Sequence, residues 1–327
     1  MSKPQRLRLL APLAVMFPSL LTGAKASAQA AAWPSTPIRM VVPFPPGGSS
    51  DILTRLVADH MGKILGANIF IDNKPGGTTQ VGTEFVANAA PDGNTLLMAA
   101  SSSYTQLPNL RKLNYSFDSF ETAGGVADYI AVMAVRKTLP IKTMKEFIDY
   151  AKANPGKLSF GSAGEASAGH VFGLTLAHDT GIKVLHVPYK GSVAAVNDLV
   201  AGEIDFIIDG AATPMVKSDR IQPLSVFYKK RHPDLPNVPT LSETGYNINL
   251  TRGAGWGLMA PKGTPKPIMD KLANALQKAL ETKELQDAMV RANTIAAWTP
   301  PEEFKKAILS DQKMLAQLLP AIGIRGN

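Results

Sequence analysis

Short apolar runs alternate along this 327-residue chain with segments in which apolar residues recur at helical spacing. The apolar runs are typical of buried strands and cover residues 38–43, 95–100, 157–161, 183–187, 204–208 and 255–260. Helical spacing marks residues 51–65, 143–153, 168–179, 193–200, 265–291 and 301–319. Strands that alternate with helices predict βαβ units, and therefore an α/β fold with mixed, mostly parallel sheets.

Capping signals sharpen several of these helix boundaries. Thr143 with Glu146, and Thr299 with Glu302, have the spacing of a capping box, in which two side chains satisfy backbone amides at a helix start. Gly181 follows a helical segment at a position where a left-handed glycine often ends a helix. We therefore expect helices to begin near residues 143 and 301 and one to end before residue 181.

Two apolar strands, residues 129–135 and 256–260, bracket a block with its own strands and helices. We interpret them as crossovers between two domains. The first domain would be discontinuous and hold residues 31–126 and 255–327. The second would hold residues 127–254.

The first thirty residues have the three parts of a secretory signal peptide. Lys3, Arg6 and Arg8 form a positive region, residues 9–21 are apolar, and Ala28-Gln29-Ala30 fits the cleavage pattern. The apolar stretch is too short to span a bilayer stably, and a disordered tail is the alternative interpretation. We expect export to the periplasm with residues 1–30 removed.

Charge and cysteine content limit the kinds of partner and site that this chain can have. The formal charge of +8 combines 34 basic and 26 acidic residues, but Lys3, Arg6, Arg8 and Lys25 precede the mature chain, which leaves 30 basic against 26 acidic. No basic stripe with interleaved aromatic residues is present, so we expect no nucleic-acid partner. The sequence has no cysteine, which excludes disulfides, thiolate metal sites and an N-terminal lipid anchor on cysteine.

Glycine- and serine-rich loops follow several predicted strands and lead into helices. They cover residues 43–51, 101–103, 161–170 and 188–192. Helix N-termini carry free N–H groups and a partial positive charge, and glycine lets an anion approach them. In parallel α/β sheets such loops lie together at the carboxyl ends of the strands. One such loop is commonly only a turn and a cap, whereas four together favour an anion-binding site.

The sequence contains none of the common motifs for nucleotide binding, zinc binding or serine hydrolysis. There is no phosphate-binding G-x-x-x-x-G-K-[ST], no H-E-x-x-H and no G-x-S-x-G, and the five histidines match no zinc spacing. Ser167, His170 and Asp209 have the residue types of a catalytic triad, but their spacing gives no geometry. His170 is either a ligand contact or a packed or capping histidine. We expect no cofactor, no metal and no catalysis.

The order of several motifs resembles the Bug (TctC-like) receptors of tripartite tricarboxylate transporters. The matching segments are residues 42–48 with Asp51, 73–77, 90–97, 162–164 with His170, 187–191, 202–205 with Asp209, 235–240 and 257–261. Each motif alone is loose, but their order and spacing over almost the whole mature chain are specific.

The resemblance implies a two-domain Venus flytrap fold of the periplasmic-binding-protein type. It implies capture of a small carboxylate and delivery to a permease with a large and a small membrane subunit. The chain would be a monomer that is not lipid-anchored. A binding protein that feeds a sensor kinase would show the same sequence and remains the alternative. The implied ligand-binding residues are Phe44, Pro45, Gly47, Gly48, Ser49, Ser50, Ser101, Ser102, Ser103, Ser162, Ala163, Gly164, Ser167, His170 and Asp209.

The chain departs from the family pattern at three places in these loops. Glu165-Ala166 stands where relatives commonly have a small polar residue and glycine, Gly210 where they often have serine or threonine, and Ser103-Tyr104 where a histidine is usual. These departures concern the identity of the ligand rather than the fold.

Overall fold

The computed structural model describes residues 33–246, 255–292 and 294–324. The predicted signal peptide therefore lies outside the described residues. The described strands form two sheets. The first sheet contains β1 (Ile38–Val42), β2 (Ile69–Asn73), β3 (Thr95–Ala100), β4 (Phe120–Tyr129), β10 (Trp256–Pro261) and β11 (Thr294–Thr299). The second contains β5 (Ala131–Arg136), β6 (Ser159–Ser162), β7 (Leu185–Pro188), β8 (Phe206–Asp209) and β9 (Ile221–Phe227).

Both sheets combine parallel and antiparallel pairs. The first has the order β11-β4-β10-β3-β1-β2, with β1 parallel to β2 and β3, and β10 antiparallel to β3 and β4. The second has the order β7-β6-β8-β5-β9, with β6 parallel to β7 and β8, and β5 antiparallel to β8 and β9. The predicted α/β class with mixed sheets is confirmed, but parallel pairs do not predominate: the described strands form four parallel and five antiparallel pairs, because β5, β10 and β11 all run against their neighbours.

Helices pack against the sheets and bury their apolar faces. They are α1 (Ser49–Leu65), α2 (Gln80–Ala87), α3 (Met144–Ala153), α4 (Ala168–Thr180), α5 (Ser192–Ala201), α6 (Thr213–Lys217), α7 (Lys266–Glu281), α8 (Lys283–Arg291) and α9 (Pro301–Ala321). Leu53 and Val57 of α1 share one core with Leu272 of α7, whereas Phe147 of α3 and Leu176 of α4 belong to another. Each sheet therefore has its own hydrophobic core. No described helix is long and apolar enough to cross a membrane.

The chain passes between the sheets at Ile130, which separates β4 from β5. The predicted single strand over residues 129–135 is thus the end of one strand and most of the next. The return passage runs through residues 228–255, part of which lies outside the described residues. Helix α9 touches both halves, because Leu315 and Leu319 pack with Ala166 and Val171. The exact domain limits stay a prediction.

The helix boundary predictions were partly right. Thr143 Oγ1 accepts the Glu146 amide at 3.2 Å and the Glu146 carboxylate accepts the Thr143 amide at 3.2 Å, so this capping box is confirmed. The second one is wrong, because α9 begins after Pro300 without a side-chain cap. The predicted helix over residues 265–291 is two helices, because Thr282 is extended and ends α7. Strands β2, β9 and β11, all of β4 before Tyr129, and helices α2 and α6 were not predicted.

Candidate functional site

A cleft of about 1870 Å³ is lined by loops from both sheets. The first sheet contributes residues 43–50, 75–79 and 100–102, and the second contributes residues 163–164, 167–169 and 189–194. Sites for small molecules usually measure about 300–1,000 Å³. The cleft is therefore larger than a small organic acid would fill.

The first wall is organised by the start of α1. Gly48 is the N-cap residue, and Ser49 and Ser50 form the first turn. A helix leaves its first N–H groups without intrahelical acceptors, so the amides of these three residues can donate to a bound group. The partial positive charge of the helix N-terminus favours an anion there.

Asp51 holds the same loop in shape. Its carboxylate accepts the Gly47 amide at 2.9 Å and the Asn73 side-chain amide at 2.9 Å, and it pairs with Arg55 at 2.9 Å. Burial works to raise the pKa of Asp51, but hydrogen bonds from Arg55, Gly47 and Asn73 together lower it below its usual value. The Gly47 amide is thus engaged within the loop, which leaves Gly48, Ser49 and Ser50 as the donors facing a ligand.

Serine residues follow β3, which ends beside the end of β1. Ser101 and Ser102 line the cleft, whereas Ser103 is fully buried behind it. The predicted loop is here a π-helical turn, Ser102–Gln106. Close by, the Trp256 indole donates to Ser50 Oγ at 2.8 Å and so fixes that hydroxyl.

The second wall begins with the loop after β6. Ala163, Gly164 and Ser167 line the cleft, but Ser162 does not. Ser162 Oγ lies 2.9 Å from the Gly164 carbonyl and 2.7 Å from His186 Nε2, and it accepts the Gly164 amide at 3.2 Å. Ser162 therefore braces the turn that presents Ala163 and Gly164.

His170 also stabilises the loop after β6. Its Nδ1 accepts the Ala166 amide at 3.1 Å, and its ring stacks on His186 with the ring centroids 3.8 Å apart. Burial, together with the nearby His186, lowers the pKa of His170 from 6.5 to about 4. Of its two predicted roles, the packed histidine describes the position that the structure gives it.

Asp209 lies at the end of β8 and lines the cleft, although its side chain is almost fully buried. It accepts the Ala211 amide at 2.9 Å and the Ser192 hydroxyl at 2.8 Å. Burial raises the pKa of Asp209, while hydrogen bonds from Ala211, Ser192 and Tyr129 work in the other direction. Tyr129, from the first sheet, also accepts the Gly210 amide at 3.0 Å, so this corner joins the two halves.

Ser167, His170 and Asp209 do not form a triad. Ser167 Oγ caps α4 by accepting the His170 backbone amide at 3.4 Å, and the His170 ring is bonded to Ala166. Asp209 is bonded to Ser192 and Ala211. In the described ranges, no three His, Asp or Glu side chains lie close enough together to hold a metal ion.

Sequence reasoning missed several residues that line the cleft. They are Gln106, Asp128, Tyr129, Asn197, Tyr228, Lys229 and Arg291. Tyr228 donates to Asp128 at 2.6 Å, and Lys229 lies 3.6 Å from the same carboxylate, so polar contacts join β4 to the segment after β9. For Asp128 and Tyr129, their position at the first predicted crossover was a signal that could have pointed to them.

Comparison with known proteins places this geometry in context. The family model described as the tripartite tricarboxylate transporter family receptor matches residues 53–323. A Cupriavidus necator protein, the UPF0065 protein in the gbd 5′ region, is 33% identical over 306 residues, which is 93% of each chain.

Three solved structures share the fold over most of their length. The periplasmic binding protein BugD is 33% identical, with a TM-score of 0.80 over 90% of this chain and 100% of its own. Rpa4515 from R. palustris, solved with adipate, is 26% identical, with a TM-score of 0.82 and coverage of 90% and 100%. MatC from Rhodopseudomonas palustris, solved with malate, is 27% identical, with a TM-score of 0.76 and coverage of 88% and 100%.

Proposed function

Because the chain belongs to the tripartite tricarboxylate transporter receptor family, we propose that it captures a small carboxylate in this cleft by closing its two domains around it. The closed form then delivers the ligand to a permease with a large and a small membrane subunit. The domains are residues 31–126 with 255–327, and residues 127–254. The receptor acts as a monomer and leaves its ligand chemically unchanged.

The observation that carries this proposal is the meeting of donor-rich loops from both sheets in one cleft. The start of α1 offers the amides of Gly48, Ser49 and Ser50, and the loop after β6 offers the Ala163 amide, while the Gly164 amide donates to Ser162 Oγ within the loop. Hydrogen bonds from N–H groups to a carboxylate are roughly twice as strong as those between neutral groups. An anion therefore binds here without an arginine clamp. Adipate and malate, the acids in the titles of two similar structures, support the ligand class.

Asp209 serves a different part of the ligand. A second carboxylate facing Asp209 would be repelled, so this side chain accepts from a ligand hydroxyl, a ligand amine or a water molecule that bridges to the ligand. Its bonds to Ser192 and Ala211 hold it in place for that purpose. The proposed contact residues that line the cleft are Phe44, Pro45, Gly47, Gly48, Ser49, Ser50, Ser101, Ser102, Ala163, Gly164, Ser167 and Asp209.

Export follows from the first thirty residues. We infer that the signal peptide is cleaved after Ala30 and that the protein is free in the periplasm, because no cysteine is present to carry a lipid. The intact mass of the exported protein tests this. A mass that matches a chain starting at Ala31 supports cleavage, and a mass that includes residues 1–30 contradicts it.

A thermal-shift screen tests the function. The purified protein is heated with succinate, malate, adipate, citrate or benzoate over a range of concentrations. A ligand that binds only the folded state raises the melting temperature progressively with its concentration. We expect at least one carboxylate to do so and to be recovered unchanged after incubation. If no carboxylate shifts the transition, or if the acid is converted, the proposal is wrong.

A further inference from the structure

Gln106 is a buried polar residue that lines the cleft and that the sequence patterns did not single out. Strand β3 continues into the π-helical turn Ser102–Gln106, and Gln106 is its last residue. Short π-helical turns occur frequently at functional sites. The side chain of Gln106 is only 2% exposed, yet it forms part of the cleft wall together with Ser101 and Ser102.

The Gln106 amide differs from its neighbours in having an unpaired atom. Its Oε1 is buried without a hydrogen-bond partner among the described residues. Ser103 Oγ in the same turn is also unpaired but lies outside the cleft lining, whereas Thr105 Oγ1 donates to the Ser101 carbonyl at 2.7 Å and Tyr104 Oη donates to the Gly255 carbonyl at 3.1 Å. A buried polar group without a partner costs about 1–3 kcal/mol, so folded proteins rarely keep one that has no use.

The position of Gln106 indicates what would pair with it. Strand β3 lies beside β1 in parallel, so the residues after β3 lie at the same sheet edge as the start of α1. A group bound there is held by amides and must therefore be rich in acceptors. A glutamine amide carries two donors and one acceptor, and rotation of the amide by half a turn exchanges them.

We propose that the Gln106 side chain binds the ligand directly: a half-turn rotation of its amide brings Nε2 to the place of the unpaired Oε1, and Nε2 donates a hydrogen to an oxygen of the carboxylate held at the start of α1. This rests on the proposed function. As a neutral donor, Gln106 selects for a ligand oxygen at this position without adding a charge. Ligands that lack an acceptor there leave the amide unpaired and bind less tightly.

Three variants test this assignment with succinate, malate, adipate and citrate as probes in calorimetry. Gln106→Met keeps the length of the side chain but removes both donor and acceptor. Gln106→Glu keeps the shape and adds a negative charge. Thr105→Val is the matched control, because Thr105 lies in the same buried turn but does not line the cleft.

For the probe that binds the wild-type protein, we expect Gln106→Met to raise Kd about tenfold, a typical loss for a hydrogen bond to a charged group. Its melting temperature without ligand should stay the same or rise, because an unpaired buried group has been removed. Gln106→Glu should raise Kd further, to about a hundredfold, since the new carboxylate repels the ligand. Thr105→Val should lower the melting temperature and leave Kd within about twofold.

The outcomes separate this inference from the proposed function. If the wild-type protein binds one of the probes and Gln106→Met binds it with unchanged Kd, the inference is wrong and the proposed function stands. A Gln106→Met protein that loses thermal stability while its Kd is unchanged shows a packing role and also overturns the inference. If the wild-type protein binds none of the probes, the proposed function fails and the inference falls with it.

Discussion

Two adjacent glycines at the start of α1 serve different physical requirements. Gly47 has φ +83°, a left-handed conformation that side chains disfavour. Gly48 has an ordinary φ of −80°, and the nearest atom to an added Cβ would be the Pro45 carbonyl oxygen at 3.8 Å. Gly47 is therefore required by the turn, whereas Gly48 can be replaced without strain. A side chain at Gly48 tests access to the amides rather than folding.

Substitution of Gly48 separates backbone recognition from a lysine salt bridge. We expect Gly48→Val to abolish binding of a carboxylate, because its methyl groups cover the amides at the start of α1. Lys190→Ala should weaken binding by about 1 kcal/mol or less, since Lys190 is exposed at the cleft wall and exposed ion pairs contribute little. Calorimetry on both variants decides. Normal binding by Gly48→Val together with lost binding by Lys190→Ala would mean that the site is a lysine salt bridge.

Ala166 shows the cost of one departure from the family pattern. It has φ +59°, a conformation that favours the glycine usual in relatives. Its methyl group is buried with Val171, Leu315 and Leu319. Burial of this methyl group offsets part of the backbone strain, and it ties the ligand loop to α9. Glu165, the other departure in this loop, is exposed and outside the cleft lining.

His170 predicts how stability depends on pH. Its folded-state pKa is about 4 against 6.5 when unfolded, so between these values the unfolded chain binds the proton more readily. Stability is therefore complete above about pH 6.5 and falls as the pH drops towards 4, by on the order of 3 kcal/mol from this residue. Burial lowers the pKa of His186 as well, so this histidine acts in the same direction.

Denaturant unfolding from pH 7.5 to 4.5 measures this loss. His170→Asn keeps an acceptor for the Ala166 amide but cannot titrate, so its stability should fall less steeply. Equal slopes for wild type and His170→Asn would contradict the assignment.

At the residue scale, sequence patterns predicted which loops line the cleft better than they predicted which side chains point into it. Glycine and serine after predicted strands correctly indicated residues 43–50, 101–102 and 163–164 as parts of one cleft wall or the other. Ser103, Ser162 and His170 belong to the same loops but lie outside the cleft lining. Which way a side chain points depends on packing between distant segments, and that information is not local.

At the element scale, three of the strands that escaped prediction, β2, β9 and β11, lie at sheet edges. Strand β2 is half-exposed at an edge of the first sheet, and β11 forms the other edge. Strand β4 contains Gly124 and Gly125, where an added Cβ would come within 2.9 Å of atoms of Trp298 and Thr299. These glycines allow close packing of β11, but they also weaken the sequence pattern of a strand.

The confirmed capping box at α3 allows a test of an element without involving the ligand. Thr143→Ala removes the acceptor for the Glu146 amide and should lower the free energy of unfolding by about 1 kcal/mol. Because α3 does not line the cleft, Kd for a carboxylate should be unchanged. Thr143→Ser keeps the hydroxyl and is the control. Chemical denaturation gives the stabilities, and a loss from Thr143→Ala no larger than that from Thr143→Ser would argue against the cap.

For the whole molecule, the main cores of the two sheets share only Tyr129 among the described residues, and we predict a hinged closure. The chain crosses at Ile130, and Tyr129, Asp128 and α9 make contacts between the halves. The proposed ligand contacts from both walls would favour the closed arrangement. Small-angle X-ray scattering should show a smaller radius of gyration with saturating ligand than without it. An identical profile in both states would contradict closure.

The central claim is that the cleft recognises a carboxylate through backbone amides, and a matched pair of ligands tests it most directly. Calorimetry compares the carboxylate selected by the thermal-shift screen with its uncharged amide, which has nearly the same size and shape. We predict one-to-one binding of the acid and a loss of at least about a hundredfold for the amide, because charge-assisted hydrogen bonds are lost and an unpaired donor is introduced. Equal affinity for both compounds, or no binding of the acid, would contradict the account.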